Sequence, residues 1–437
     1  MDNIIKRLAS FLPSEIVFGE SFRHAKKILS EFESSHDKED FAFSFQEQKL
    51  KQLLNIASNA KFYQYLKDRV PFQQMPFISK EIIFDSFNDL IVNTRAADYV
   101  TTGGTSGKPL GFYINKNRKG FEWFWMTYNW SKVGYKFSDY RGVLRNHKLN
   151  GKQYKVDILL KEIHYDNFSL NEKYLSFIAD HVNSNNISFF HAYPSAAYVF
   201  AAFLKRKKIQ TTLKSFLCGS ENVFDYQKLL IQKSLGIRMY TWYGHSEKLI
   251  LAGENKNCEN YHSNPFYGVT EIVDENGQPI NSVGQVGELI GTGFINTKMP
   301  FIRYKTGDFA EYVGEICPIC NHIGTTFKRV KGRWIGDKVY KSDGTTITTT
   351  ALNLHSNIYN YIKGLQYYQE EKGKLEIRVI PESNFNERIK SRIVRELEDK
   401  SGAFLEINLV EVEEMIFSTN KKFQLLIQTI KEDKISE

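Results

Sequence analysis

Cysteine is scarce in this chain. Four thiols in 437 residues are too few for a disulfide framework, so a reduced, cytoplasmic setting is expected. Long apolar runs are also missing. No stretch reaches the roughly 18 residues that a membrane-spanning helix needs, so no membrane span is expected. The first residues, Met1-Asp2-Asn3-Ile4-Ile5-Lys6-Arg7-Leu8, lack the apolar region and small-residue cleavage site of a secretory signal. There is no dense basic block. The net charge of +8 is spread along the chain, which suits a small anionic ligand and does not call for nucleic acid. The short cluster Lys205-Arg206-Lys207-Lys208 follows the apolar run from Tyr198 to Leu204 and reads as the solvated end of a helix. No internal repeat or low-complexity segment interrupts the chain.

What remains is a globular composition, 42% hydrophobic and 25% charged, long enough for two or three domains with a sizeable core. One stretch is too polar and too flexible to be core: Thr101-Thr102-Gly103-Gly104-Thr105-Ser106-Gly107-Lys108-Pro109-Leu110. Glycines let backbone N–H groups turn toward an anion, hydroxyls add donors and Lys108 adds charge. That chemistry suits phosphate. The glycine spacing is not that of a Walker loop, and an ordinary flexible turn is the plain alternative.

The first 95 or so residues carry helical spacing. From Gln46 to Leu66 a stripe of Leu50, Leu53, Leu54, Ile56 and Ala57 predicts a helix. Ser79 reads as the N-cap of another. The aromatic run from Phe121 to Trp130 reads as a helix packed into a core. From about residue 155 the texture is α/β. Strands are expected at Val156 to Leu160, Ile187 to Phe190, Ser215 to Cys218 and Ile237 to Thr241. Helices are expected at Leu170 to Val182, from Pro194, and at Tyr226 to Leu235. This alternation predicts a parallel-rich sheet with helices, and ligands at the carboxyl ends of its strands. Gly219-Ser220-Glu221 and Tyr243-Gly244-His245-Ser246-Glu247 follow strands and so fall at that edge. Residues 268–330 are rich in turns and β-branched residues. Beyond Lys331-Gly332-Arg333 the texture changes again. Strands at Leu375 to Ile380 and Leu405 to Glu411 flank an amphipathic helix from Phe385 to Lys400. The expected organisation is a large α/β domain over 1–331 and a small α+β domain over 332–437.

Five signatures then stand in a fixed order. They are the glycine loop ending in Gly107-Lys108-Pro109, Tyr243 to Glu247, and Gly287-Glu288-Leu289-Ile290-Gly291-Thr292 leading into Met299-Pro300-Phe301-Ile302-Arg303-Tyr304-Lys305-Thr306-Gly307-Asp308. Lys331-Gly332-Arg333 with Asp337, and Ser418-Thr419-Asn420-Lys421-Lys422-Phe423, complete the set. In this order the sequence resembles the adenylate-forming (acyl-CoA synthetase-like) superfamily. It looks closest to the phenylacetate–CoA ligase-like branch, which includes capsular and surface-polysaccharide proteins.

The resemblance implies roles. Thr102, Gly103, Gly104, Thr105, Ser106, Gly107 and Lys108 would hold the ATP phosphates. Gly219, Ser220 and Glu221, with Tyr243 and Gly244, would line the adenine. Ser246 would touch phosphate, and Glu247 would hold Mg²⁺, as carboxylate oxygen suits a hard cation. Asp308 would accept from the ribose hydroxyls. Arg333 would contact the nucleotide beside a hinge about which the small domain moves. The acidic hinge residue, Asp337, lies one position later than usual. Lys422 aligns with the catalytic lysine, which would stabilise charge at the α-phosphate. Lysine at 421 replaces the usual glycine, so either of the two lysines is a candidate. His191, Tyr193, Pro194 and Trp242 flank the site as acyl-pocket candidates. Arg145 and His147 are candidates for meeting a charged substrate.

A separate set, Cys258, His262, Cys317 and Cys320, has donor types and spacing for a closed tetrahedral Zn²⁺ site. His322 is a rival fourth ligand, and reduced thiols without metal are the plain alternative. The implied activity is an ATP-dependent, AMP-forming ligase acting in surface-polysaccharide synthesis. It would activate a small-molecule carboxylate and pass the acyl group to CoA or an amine. The rival is a catalytically silent nucleotide-binding scaffold of a polysaccharide-assembly complex.

Overall fold

Sequence pattern dictates where the first helices start and which faces they bury. Helix α1 (Gly19–Ser34) buries Phe22, Ala25 and Ile28 at successive turns. Helix α2 (Lys38–Ala57) begins where the Asp37 side chain accepts the Asp40 N–H at 2.8 Å, a side-chain N-cap. The apolar stripe predicted to run on to Leu66 breaks at Ala57 and resumes as 3₁₀ turns over Lys61–Asp68. Tertiary contacts decide the break. Tyr63 is fully buried there, its hydroxyl donating to the Pro300 carbonyl (3.0 Å) and accepting the Ile302 N–H (3.3 Å). Helix α3 (Lys80–Asp85) has Ser79 as its N-cap. Helix α4 (Arg118–Ser131) carries the aromatic run, with Trp125 and Trp130 fully buried. It approaches α1 so closely that a Cβ on Gly120 would lie 2.5 Å from the Phe18 carbonyl oxygen.

The computed structural model describes residues 14–430, apart from 69, 103–109, 146, 222, 224, 332–337, 350, 353, 355–357, 359–360, 415 and 417–424. The chain falls into two compact units. One holds Met1–Val100, Phe112–Asp166 and Leu170–Gly332; the other holds Thr101–Gly111, Asn167–Ser169 and Arg333–Glu437.

A two-stranded ribbon, β1 (Ala97–Thr101) with β2 (Gly111–Asn115), brackets the glycine loop. The first unit is then built on a 12-stranded mixed sheet. Its strands are β3 (Arg141–Leu144), β4 (Lys155–Asp157), β5 (Glu162–His164), β6 (Phe189–Ala192), β7 (Ser215–Cys218), β8 (Arg238–Gly244), β9 (Leu251–Asn255), β10 (Cys258–Ser263), β11 (Gly268–Val273), β12 (Val286–Gly293), β13 (Tyr304–Ile316) and β14 (Ile323–Lys331). The order across the sheet is β11-β12-β13-β14-β10-β9-β8-β7-β6-β3-β5-β4. Strands β5, β3, β6, β7 and β8 run parallel; from β8 to β11 every pairing is antiparallel.

The α/β reading therefore holds, with an antiparallel half in which β9 and β10 pair beside the strands of the turn-rich residues 268–330. Helices α5 (Glu172–Ser184) and α6 (Pro194–Lys207) bury Ile178, Val182, Phe200 and Leu204 in one core with Phe190 and Phe216 of the sheet. Helix α6 ends with Lys208 left-handed after exposed lysines, as its basic last turn predicts.

The second unit carries two small sheets. Strands β15 (Lys338–Tyr340) and β16 (Thr346–Thr348) form a hairpin. Strands β17 (Ile362–Gln369), β18 (Lys374–Pro381), β19 (Glu406–Glu411) and β20 (Leu426–Gln428) form a sheet in the order β19-β18-β17-β20. Helix α7 (Glu387–Ser401) connects parallel strands β18 and β19. It is capped by Asn386 and buries Ile389, Ile393 and Leu397 in the core beneath the sheet.

Candidate active site

The carboxyl end of β8 is the first wall of the site. The Trp242 indole comes so close to the end of β7 that a Cβ on Gly219 would sit 2.5 Å from it, so glycine suits that position. A tight turn follows, closed by the Lys248 N–H on the His245 carbonyl at 3.2 Å. It leaves Ser246 exposed and Glu247 buried. Glu247 accepts from the Tyr304 hydroxyl at 3.2 Å and lies 3.1 Å from His245 Nδ1. Burial pushes its carboxyl up, but His245 and the hydrogen bonds outweigh this and hold it below the ordinary value. Glu247 is therefore an anion at neutral pH.

The second wall is the start of β13. Asp308 is buried and accepts from the Tyr243 hydroxyl at 2.8 Å, which ties β13 to β8. Burial, with the Asp308 charge beside it, pushes the Tyr243 hydroxyl far up, so it stays a donor. The turn that aims Asp308 is pinned twice. Thr306 Oγ1 donates to the Leu289 carbonyl (2.7 Å), and Glu288 accepts the Gly307 N–H (3.0 Å). Gly307 has φ of +75°, a left-handed conformation that favours glycine. The Gly287-Glu288-Leu289 signature thus acts through the turn across from it. Arg303 anchors the same segment from behind. It is buried, pairs with both oxygens of Glu271 (2.9 and 3.1 Å), and donates to the Gln73 and Met75 carbonyls at 2.8 Å each.

The third wall is the carboxyl ends of β7, β6 and β3. Ser220 is left-handed, with φ of +69°. Glu221 is structural. Its Oε2 accepts the Ser195 N–H at 3.1 Å and caps α6, whose own N-cap, Tyr193, offers no side-chain cap. Arg145 bridges the strands. One nitrogen meets His191 Nε2 and another donates to Ser220 Oγ, both at 2.7 Å, and the guanidinium lies 5.0 Å from the Tyr193 ring centre. Burial, with Arg145 and Arg141 nearby, holds the His191 imidazole well below its ordinary value, so it is neutral and accepts from Arg145.

Away from these walls, Cys258, His262, Cys317 and Cys320 bring four ligand atoms within 4.8 Å of one another. Cys258 and Cys317 sulfurs are 3.8 Å apart, and Cys320 Sγ is 3.2 Å from His262 Nε2. A tetrahedron with metal–sulfur bonds of about 2.3 Å has edges of about 3.8 Å, so the quartet can close on one ion. His262 Nδ1 donates to the Gly253 carbonyl (3.0 Å), which fixes the tautomer and points Nε2 into the quartet. His322 Nε2 is engaged with the Ser263 carbonyl at 3.0 Å and lies outside the quartet.

Comparison with solved structures gives 2-hydroxyisobutyryl-CoA ligase in the postadenylation state, in complex with R3-HIB-AMP, at a TM-score of 0.51. The likeness covers 90% of this chain and 89% of that one at 14% identity. The same enzyme in complex with 2-HIB-AMP and CoA, in the thioesterification state, gives 0.53 over 88% and 89% at 16% identity. The chain shares the fold of this CoA ligase. No family model matches it. Among curated proteins it is similar to Protein CapK of Staphylococcus aureus, 23% identical over 341 residues, covering 71% of this chain and 72% of that protein.

The walls gather Gly219, Ser220, Glu221, Trp242, Tyr243, Gly244 and Glu247 on or just after the neighbouring strands β7 and β8, and the Tyr243 hydrogen bond brings in Asp308 from β13, which stands four places from β8 in the sheet. His191 and Tyr193 stand two strands from β8. Thr102 is held by the Leu110 carbonyl accepting its N–H (2.8 Å), while its own Oγ1 accepts the Leu110 N–H (3.0 Å). Gly103, Gly104, Thr105, Ser106, Gly107, Lys108, Arg333, Asp337, Lys421 and Lys422 lie outside the described residues. Sequence reasoning assigned no role to Tyr304, Glu288 or Arg303. All three stand inside the quoted signatures, and a charged residue bracketed by apolar neighbours, as in Phe301-Ile302-Arg303-Tyr304, was the available signal.

Proposed function

We propose that the protein is an AMP-forming ligase that activates a carboxylic acid as its acyl-adenylate and passes the acyl group to CoA or an amine. The observation that carries this reading is the meeting of two motifs across β8 and β13. Tyr243 holds Asp308, and Tyr304 holds Glu247, so that two hydrogen bonds join the end of β8 to the start of β13. Asp308, whose carboxylate accepts from Tyr243, would accept from the ribose hydroxyls as well. Glu247 is the buried anion that would hold Mg²⁺, whose charge offsets that of the phosphates. The substrate carboxylate attacks the α-phosphorus, the bond to the β-phosphate oxygen breaks, and pyrophosphate leaves. A thiol or amine then attacks the acyl carbon, loses its proton and releases AMP.

Residues Thr102 to Lys108 hold the departing pyrophosphate, and Lys422 stabilises the charge that builds at the α-phosphate. The domains are 1–331 and 332–437. The smaller one, carrying Lys422, turns near Arg333 between the two half-reactions. Cys258, His262, Cys317 and Cys320 hold one structural Zn²⁺, since all four positions are filled by protein donors. Similarity to CapK supports a role in capsular or surface-polysaccharide synthesis.

Acid-dependent ATP–pyrophosphate exchange tests the first half-reaction. The active acid incubated with ATP plus CoA or a panel of amines identifies the acceptor. Exchange with no acid, despite bound ATP, would favour a silent scaffold.

A further inference from the structure

We infer that the acid activated here carries a second anionic group, and that Arg145 receives it. The inference rests on the ligase reading. It starts from a contrast between two arginines, Arg141 on β3 and Arg145 just past its end. Arg141 is fully buried and committed to structure: it pairs with Glu162 and donates to the Tyr135 hydroxyl (2.7 Å) and the Leu160 carbonyl (2.9 Å). Arg145 is half-buried, and its hydrogen-bond partners among the described residues are a neutral imidazole and a hydroxyl. No described carboxylate lies within ion-pair distance of it.

The carboxylates at this strand edge are engaged elsewhere. Glu162 serves Arg141 and His164, Glu221 caps α6, and Asp166 accepts the Leu149 N–H. The side chains that meet Arg145 directly are all neutral. His191 takes the Arg145 proton on Nε2, so its own proton sits on Nδ1, a buried atom with no described partner. His147 and His164 stack edge to face with ring centres 4.2 Å apart at the next strand end. A guanidinium removed from bulk water with only neutral partners is a receptor for carboxylate or a similar oxyanion.

Position links this receptor to the reaction. Strands β8, β7, β6 and β3 are successive neighbours, all parallel. At about 4.8 Å per strand, the β3 end stands about 14 Å from that of β8, which carries Tyr243 and Glu247. Arg145 reaches back to Ser220 at the β7 end. An acid whose reacting carboxylate lies by β8 therefore brings its far end to Arg145 when it spans about 5–10 Å.

The test compares matched acids in ATP–pyrophosphate exchange. Glutarate, adipate and pimelate are set against butyrate, hexanoate and adipate monomethyl ester, with wild type, Arg145→Ala and Arg145→Lys. Wild type is expected to show a kcat/KM at least tenfold higher for a diacid than for its matched monoacid, mainly through KM. Arg145→Ala is expected to bring that ratio to about one, and Arg145→Lys to restore part of it. The ratio isolates recognition, because loss of the Ser220 contact would lower every acid alike.

A wild type that favours the monoacids, or an Arg145→Ala ratio equal to wild type, overturns the inference. Thermal melting with adipate separates it from the ligase reading. If no acid supports exchange but adipate still raises the melting temperature of wild type and not of Arg145→Ala, the anion receptor stands and the ligase reading falls. If adipate shifts neither protein, the receptor falls as well.

Discussion

Two carboxylates that look alike in the sequence are held in different ways. Glu247 is a buried anion kept below its ordinary value by His245 and Tyr304, and Asp308 is pinned by a tyrosine that does not ionise. Asp308→Ala is expected to lower kcat/KM for ATP about tenfold to a hundredfold, the cost of losing hydrogen bonds to a charged group. Steady-state exchange at varied ATP measures it. Arg303 shows the opposite kind of charge. Arg303→Ala strips both oxygens of half-buried Glu271 of their partner and leaves the Gln73 and Met75 carbonyls unmet, and a loss of about 3 kcal/mol in urea unfolding is expected. That Asp308 and Glu247 belong to two motifs which meet across the sheet was suggested by those motifs' order in the chain. The role of Arg303 was not, because an ion pair with Glu271 joins positions that no local pattern connects.

Among elements, the helices and strands that pack by simple periodicity matched their sequence pattern closely. Strand β7 is Ser215–Cys218 as read, and α5, α6 and α7 lie within a few residues of their expected positions. The failures have tertiary causes. The stripe beyond Ala57 is helical in pattern, but burying Tyr63 against Pro300 and Ile302 bends the chain. The segment read as one helix from Tyr226 to Leu235 changes from α to π at Leu229–Ser234, where Lys228 and Gln232 both reach Glu259.

That network gives a pH test. Burial opposes it, but Gln232, Lys228 and Arg238 hold the Glu259 carboxyl down at about 2. A carboxyl lowered on folding stabilises above its unfolded value and loses that contribution as pH falls toward its folded value. The melting-temperature gap between wild type and Glu259→Gln is therefore expected to be largest near neutral pH and to shrink from about pH 5 to about pH 2. A gap constant over that range would contradict the network. The cysteine quartet is tested by elemental analysis. One zinc per chain is expected, and Cys317→Ser with Cys320→Ser should lose the metal and lower the melting temperature.

Over the whole molecule, the fold was legible because alternating strands and helices leave few arrangements, and because the motifs at 243–247 and 287–308 fall at strand ends and turns that meet. The extent of the antiparallel half was not, since hairpin pairing depends on contacts between strands more than on any one strand's pattern. The central claim is that these parts make acyl-adenylate. It is tested most directly by acid-dependent ATP–pyrophosphate exchange with the full chain, over aromatic, aliphatic, uronic and dicarboxylic acids. The account predicts exchange with at least one acid. Lys422→Ala should cut it a hundredfold or more, on the order expected for a fixed transition-state cation, while the variant still accepts preformed adenylate. No exchange with any acid by a protein that binds ATP, or undiminished exchange by Lys422→Ala, would contradict it.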